Sequence, residues 1–255
     1  MSRKFWNRLA FERELWLRGI LCVAGVDEAG CGPLAGPVVA AAVQFPCIWA
    51  DAGLPSKFRG LNDSKQLTEE EREKFHALIT GREDIRYGIS VVDAEVIDQI
   101  NILQAAHRAM NQALEQLDPA PQHALVDGRP VKSMRVPHTP LVKGDARSYS
   151  IAAASVLAKV TRDRIMMEYD RQYPGYGFGE HKGYGTPQHL AAIHLLGPSP
   201  IHRRSFSPLR PVELELFPEE LEGVAPPKAA PSHGGPGTEP PVSAEPDLIS
   251  PAALT

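Results

Sequence analysis

The chain has 255 residues, with 27 Lys and Arg against 31 Asp and Glu for a net charge of −4, and 43% of it is hydrophobic, enough for a real core. Its three cysteines, Cys22, Cys31 and Cys47, are odd in number and follow no metal-binding spacing, which argues against a disulfide framework and fits a reducing cytoplasm. No apolar run reaches the ~18 residues of a membrane helix, and the charged first 20 residues do not read as a signal peptide.

Residues 3–18 place Phe5, Trp6, Leu9, Phe11, Leu15 and Trp16 among charged residues, the pattern of an amphipathic helix packed on a domain. Leu21 to Val26 reads as a buried strand. It runs into Asp27 and Glu28, then into a turn carrying Gly30, Gly32 and Gly36, and a second strand follows over Val38 to Val43. Asn62-Asp63-Ser64-Lys65 lies in a polar loop. Thr68 then caps a helix to about Ile79, with Glu69 to Glu71 in its first turn. Ile85 to Val92 is a third strand, and Asp93 and Asn101 cap the two helices that follow, the second ending near Leu117. Two short strands, Ala124 to Val126 and Pro140 to Val142, end in Asp127-Gly128 and Lys143-Gly144-Asp145. The longest helical pattern spans Ser148 to about Tyr169, and the glycine-rich, aromatic segment from Tyr173 to Thr186 reads as a loop before a short helix after Pro187.

The expected domain organisation is an amphipathic helix over residues 1–20, a catalytic domain over 21–210, and a disordered tail over 211–255. The tail holds 10 of the 24 prolines and eight acidic residues against one lysine, whereas residues 129–210 hold 13 Lys and Arg against five Asp and Glu. A mildly basic body around an acidic site suits a nucleic-acid enzyme, although charge alone is equally that of a solvated surface. The element order predicts an α/β fold: a mixed sheet of about five strands, beginning with an antiparallel pair and covered by helices.

Three strand ends carry acids: Asp27 with Glu28, Asp127, and Asp145. Convergence of these four carboxylates would hold hard cations through oxygen, as Mg²⁺ and Mn²⁺ prefer. A pair of such ions serves in-line attack on a phosphodiester. Taken singly, each acid also has a structural reading: Asp127-Gly128 as a turn, Asp145 as a helix cap, Asp27 as a buried hydrogen-bonded carboxylate.

The strings GVDEAGCGPLAGPVVAAAV, LNDSKQLT, LVDG, KGDARSYSIAAASVLAKVTRDR and HKGYGT, in this order, resemble bacterial ribonuclease HII from roughly residue 5 to 209. The resemblance implies an RNase H-like fold with a C-terminal helical appendage. It implies cleavage of the RNA strand of RNA–DNA hybrids and incision 5′ to ribonucleotides embedded in duplex DNA, leaving 3′-hydroxyl and 5′-phosphate ends. Asp27, Glu28, Asp127 and Asp145 match the family's four metal-binding acids, served by Mn²⁺ or Mg²⁺. Gly30 and Gly32 match the outer glycines of a Gly-Arg-Gly motif that meets the 2′-hydroxyl, with Cys31 in place of the usual arginine. Tyr184 matches a tyrosine that stacks on the neighbouring sugar, and Lys65 a lysine near the scissile phosphate. Arg147 or Lys182 is expected to compensate in part for the missing arginine. The implied protein is cytoplasmic and monomeric, with no membrane partner.

Other readings differ in kind. Another RNase H-like nuclease would cut all-DNA duplexes. A non-catalytic hybrid binder gains nothing from clustered acids beside phosphates. A dinucleotide-binding turn at Gly30-Cys31-Gly32 is opposed by Pro33, which removes a backbone donor, and by Asp27 and Glu28, which repel a pyrophosphate.

Overall fold

The computed structural model describes residues 8–210. Phe5, Trp6 and the tail over 211–255 lie outside them. The chain runs α1 (Ala10–Leu17), β1 (Val23–Ala29), β2 (Val38–Gln44), a one-turn α2 (Trp49–Ala52), α3 (Glu69–Thr80), β3 (Arg86–Val92), α4 (Ala94–Ile100), α5 (Ile102–Glu115), β4 (His123–Asp127), β5 (His138–Leu141), α6 (Tyr149–Gln172), α7 (Phe178–His181) and α8 (Pro187–Leu196). One five-stranded sheet has the order β3-β2-β1-β4-β5. The β1–β2 and β2–β3 pairs are antiparallel, and β1–β4 and β4–β5 are parallel.

Four helix starts are capped as their chemistry dictates. Thr68 and Glu71 form a reciprocal capping box at the start of α3. Asn101, Ser148 and Thr186 each cap the following helix through a side-chain oxygen, and Pro187 opens α8. Three expectations need correction. Asp93 holds the N-cap position of α4, but its side chain makes no cap hydrogen bond. Strand β1 does not stop at Val26. It continues through Asp27 and Glu28, because both residues pair with β2, opposite Ala41 and Ala40. The segment expected as a loop from Tyr173 to Thr186 contains α7, a single turn anchored by the buried Phe178.

Strand β2 is buried along its whole length, with one helical layer on each face. Val39, Ala41 and Val43 pack toward α6, while Val38, Ala40 and Ala42 pack toward α5. Small residues set the spacing. A Cβ added at Gly25 of β1 would lie 2.2 Å from the Ser150 backbone, so the start of α6 rests directly on the strand. Helix α1 locks that end from behind. Its buried Glu12 accepts from the hydroxyls of Ser148 (2.6 Å) and Ser150 (2.7 Å) and from the Ser150 N–H (3.0 Å). Arg8, just before α1, donates to the carbonyls of Leu61 and Asp145. Among the described residues no helix is long and apolar enough to cross a membrane.

Candidate functional site

Parallel pairing of β1 with β4 puts the ends of both strands on one edge of the sheet. Val26 is in register with Val126, so Asp27 and Asp127 stand side by side. Strand β5 is parallel to β4 with Asp127 opposite Leu141, and the tight turn after it (Gly144–Ala146) delivers Asp145 to the same edge. Carboxylate oxygens of Asp27, Asp127 and Asp145 lie within 4.8 Å of one another.

Glu28 approaches from elsewhere. Because side chains alternate along a strand, Asp27 shares the α6 face with Val23 and Gly25, and Glu28 shares the α5 face with Ala24 and Val26. Glu28 lines a cavity of about 600 Å³ with Cys31, Asp127, Leu103, Arg129 and Lys132. The four acids thus wrap around the end of β1 instead of lying on one surface.

Backbone donors hold the carboxylates in place. The N–H of Glu28 donates to Asp27 Oδ1 at 2.8 Å, that of Gly144 to Asp127 Oδ1 at 2.6 Å, and that of Ala146 to Asp145 Oδ1 at 2.8 Å. The charges still oppose one another. Burial, then Glu28 and Asp127, raise the Asp27 carboxyl well above its ordinary range. Burial and Asp127 raise Glu28, and burial, Asp127 and Asp63 raise Asp145. Asp63, in the polar loop before α3, is a fifth acid whose charge bears on Asp145 and which no sequence motif singles out. Lys65 is exposed beside this group, where its charge favours ionised Glu28. An all-oxygen set of mutually repelling carboxylates fits hard divalent cations and no soft metal.

The turn after β1 is held by two arginines whose roles no sequence motif revealed. Arg203, fully buried, donates to the carbonyls of Gly30 (2.6 Å), Cys31 (3.2 Å) and Gly36 (2.9 Å). Arg162, also buried, donates to Pro37 (3.0 Å), Ala35 (3.1 Å) and Lys182 (3.0 Å). Across a planar trans peptide the C=O and the next N–H point in opposite directions. With the Gly30 and Cys31 carbonyls turned inward to Arg203, the N–H groups of Cys31 and Gly32 turn outward.

Tyr184 stands over that outer side: a methyl at Gly32 would lie 3.7 Å from Tyr184 Cε1, and the Leu34 N–H donates to the Gly183 carbonyl at 2.8 Å. Tyr184 is 47% exposed. The structure therefore brings Tyr184 to the turn of Gly30, Cys31 and Gly32, and gathers Asp27, Glu28, Asp127, Asp145 and Lys65 beside it, with Cys31 touching Glu28. The half-buried Cys31 places Sγ 3.6 Å from Glu28 Oε1, and burial followed by Glu28 pushes its thiol up to about 12. Arg147 and Lys182 are otherwise engaged. Arg147 lies over the Phe11 ring and donates to the Val142 carbonyl, and Lys182 donates to the Gly179 carbonyl. The charge that bears on Cys31 favourably is that of Arg203.

Comparison with known proteins places these features in a family. The family model described as Ribonuclease HII matches residues 24–208. A ribonuclease HII of Ruminiclostridium cellulolyticum is 53% identical over 198 residues, covering 78% of this chain and 74% of the relative. The solved structure of ribonuclease H2 from Pyrococcus horikoshii OT3 is similar with a TM-score of 0.60 and 30% identity, covering 74% of this chain and 95% of that one. Bst-RNase HIII in complex with Mn²⁺ shares the fold with a TM-score of 0.55 at 19% identity, covering 74% and 68% of the two chains.

Proposed function

The chain belongs to the ribonuclease HII family, a divalent-metal-dependent endoribonuclease family acting on RNA–DNA hybrids, and on that premise we propose how its own residues divide the work. Asp27, Asp127 and Asp145, with Glu28 at the flank, would hold the cations, Mn²⁺ or Mg²⁺. The observation that carries this reading is the convergence of three carboxylates from three separate strand ends to within 4.8 Å. When bound there, the cations supply activation of the attacking water and stabilisation of the leaving oxygen.

The remaining residues bind and orient. The outward N–H groups of Cys31 and Gly32 are donors at a point where a side-chain-free backbone lets a ribose approach, and the 2′-hydroxyl is what separates RNA from DNA. Tyr184 presents a ring face beside Gly32 for the adjoining sugar. Lys65, with Arg129 and Lys132 along the cavity, attracts the phosphate backbone. The substrates are RNA–DNA hybrids and duplex DNA containing ribonucleotides, cut 5′ to the ribonucleotide with a 3′-hydroxyl and a 5′-phosphate as products. Residues 21–210 form the catalytic unit, and the protein acts as a cytoplasmic monomer.

Cleavage of a duplex with one embedded ribonucleotide, with Mg²⁺ or Mn²⁺ and then with chelator, tests the whole reading. Incision that requires the cation and spares an all-DNA duplex is the expected result. Cleavage of the all-DNA duplex would favour a different RNase H-like nuclease, and binding without cleavage a hybrid-binding protein.

A further inference from the structure

Behind Tyr184 lies a group of imidazoles that the proposed chemistry does not use. His189 on α8 is fully buried and His202 nearly so, and their Nε2 atoms are 3.0 Å apart. The other nitrogen of each is also engaged. The Ser199 N–H donates to His202 Nδ1 at 2.9 Å, and His189 Nδ1 is 2.9 Å from the carbonyl oxygen of Tyr184. A backbone N–H can only donate and a carbonyl can only accept, so the protons have one arrangement. His202 Nδ1 accepts, its Nε2–H donates to His189 Nε2, and His189 Nδ1–H donates to Tyr184. The chain of bonds runs one way, from Ser199 to the main chain of Tyr184, and both rings are neutral.

A third imidazole holds the same segment from the other side. His181 stacks on His189 with centroids 4.3 Å apart, accepts from the Gly183 N–H at Nδ1 (3.1 Å), and so donates from Nε2 to the Tyr176 carbonyl (2.8 Å). Tyr184 itself donates its N–H to the His181 carbonyl at 2.9 Å. Both backbone groups of Tyr184 are thus bonded to histidines, the carbonyl also to the Thr186 N–H, while the residue stays exposed. Phe178 and Tyr176 already pack this region, and a purely packing role would be met at lower desolvation cost by apolar residues.

We propose that His189 and His202 are positioning residues for substrate discrimination, a two-imidazole relay that orients the Tyr184 main chain and so sets its ring against Gly32. The relay rests on the reading that Tyr184 touches the sugar beside the scissile bond. The Tyr184 carbonyl also accepts from the Thr186 N–H at 2.8 Å, so His189→Leu removes the side-chain donor and leaves that backbone one, whereas His189→Asn keeps a side-chain N–H where Nδ1 stood. His202→Phe breaks the relay one bond further back and preserves the aromatic cluster.

The test is a double-mutant cycle with Tyr184→Ala, reading kcat and KM separately on a duplex with a single ribonucleotide, below the melting temperature of every variant. His189→Leu is expected to lower kcat/KM about tenfold, His189→Asn to recover most of the loss, and His202→Phe to fall between them. In the Tyr184→Ala background the His189→Leu loss should shrink to under about twofold, because the residue it acts through is gone. An undiminished loss in that background, or none in the native one, would overturn the relay. Should Tyr184→Ala incise as well as the native chain, the reading of Tyr184 itself fails, and the cycle separates that outcome from failure of the relay alone. If His189→Leu does not fold, the same cycle run with His202→Phe decides the matter.

Discussion

Gly30 and Arg162 fill their shared space completely: a Cβ on Gly30 would lie 2.2 Å from Arg162 Nε. Gly30 also has φ +99°, a conformation that L side chains resist. Strain and overpacking add, so Gly30→Ala is expected to cost about 2 to 5 kcal/mol of stability and to loosen both loops that Arg162 ties together. Gly32→Ala meets only the ordinary 3.7 Å contact with Tyr184. Urea unfolding should therefore separate the two: Gly32→Ala folds like the native chain and loses ribonucleotide incision alone. Equal destabilisation by both would contradict this account.

Asp127→Asn removes the acid that stands beside both Asp27 and Asp145. Cleavage should vanish while binding of hybrid duplex persists, measured by filter retention beside a turnover assay. Residual turnover in this variant would count against the assignment.

The carboxylate cluster predicts a pH dependence for the metal-free protein. Burial first, and then neighbouring acids, raise Asp27 and Asp145, so the folded chain binds more protons than the unfolded one. Stability from this group is complete below the ordinary carboxylate range and is lost as pH rises through the elevated values. In chelator the melting temperature should decline from pH 5 to pH 8 relative to Asp127→Asn. Mg²⁺ or Mn²⁺ should restore more at pH 8 than at pH 5, since the cation competes with protons. A metal response independent of pH would sink the prediction.

The imidazoles predict the opposite sign. Burial first, then His189, Arg204 and His181, hold His202 down to about 4, below its ordinary 6.5. Between those values the unfolded chain takes up a proton that the folded chain refuses, so this contribution is present above about pH 6.5 and is lost as pH falls toward 4, by roughly 3 kcal/mol. The difference in unfolding free energy between native chain and His202→Phe, compared at pH 7.5 and pH 5, isolates it. The native chain should lose more of its stability than the variant.

Burial and Glu28 make Cys31 an expected poor nucleophile. With its thiol pushed up to about 12, its alkylation by iodoacetamide at pH 8 should lag free glutathione by roughly a hundredfold or more, followed by peptide mass spectrometry. Cys31→Arg would add a cationic fork beside Glu28 and is expected to lower KM several-fold on duplex substrates; an unchanged KM would mean that phosphate affinity is already complete.

Much of this was legible locally. Thr68, Asn101, Ser148 and Pro187 announce helix starts because capping depends on a few consecutive residues. The apolar runs around Asp27 and Asp127 announce strands for the same reason, and the ordered motifs carried the family resemblance. The candidate acids and Tyr184 were therefore nameable from sequence. Their meeting was not. Asp127 reaches Asp27 only because β4 is parallel to β1 in one register, and Glu28 parts from Asp27 only because pairing with β2 extends the strand through both.

The sequence by itself determined most of the helices and strands, the candidate residues, and the family to which they point, since short-range propensity and motif order reside in neighbouring residues. Tertiary structure alone decided that Arg162 and Arg203 brace the Gly30 turn, that Asp63 joins the acids, and that His189 addresses the carbonyl of Tyr184 through a bond shared with His202. Each of those contacts joins separate segments of the chain, and a buried polar side chain carries no local mark of which distant carbonyl will satisfy it.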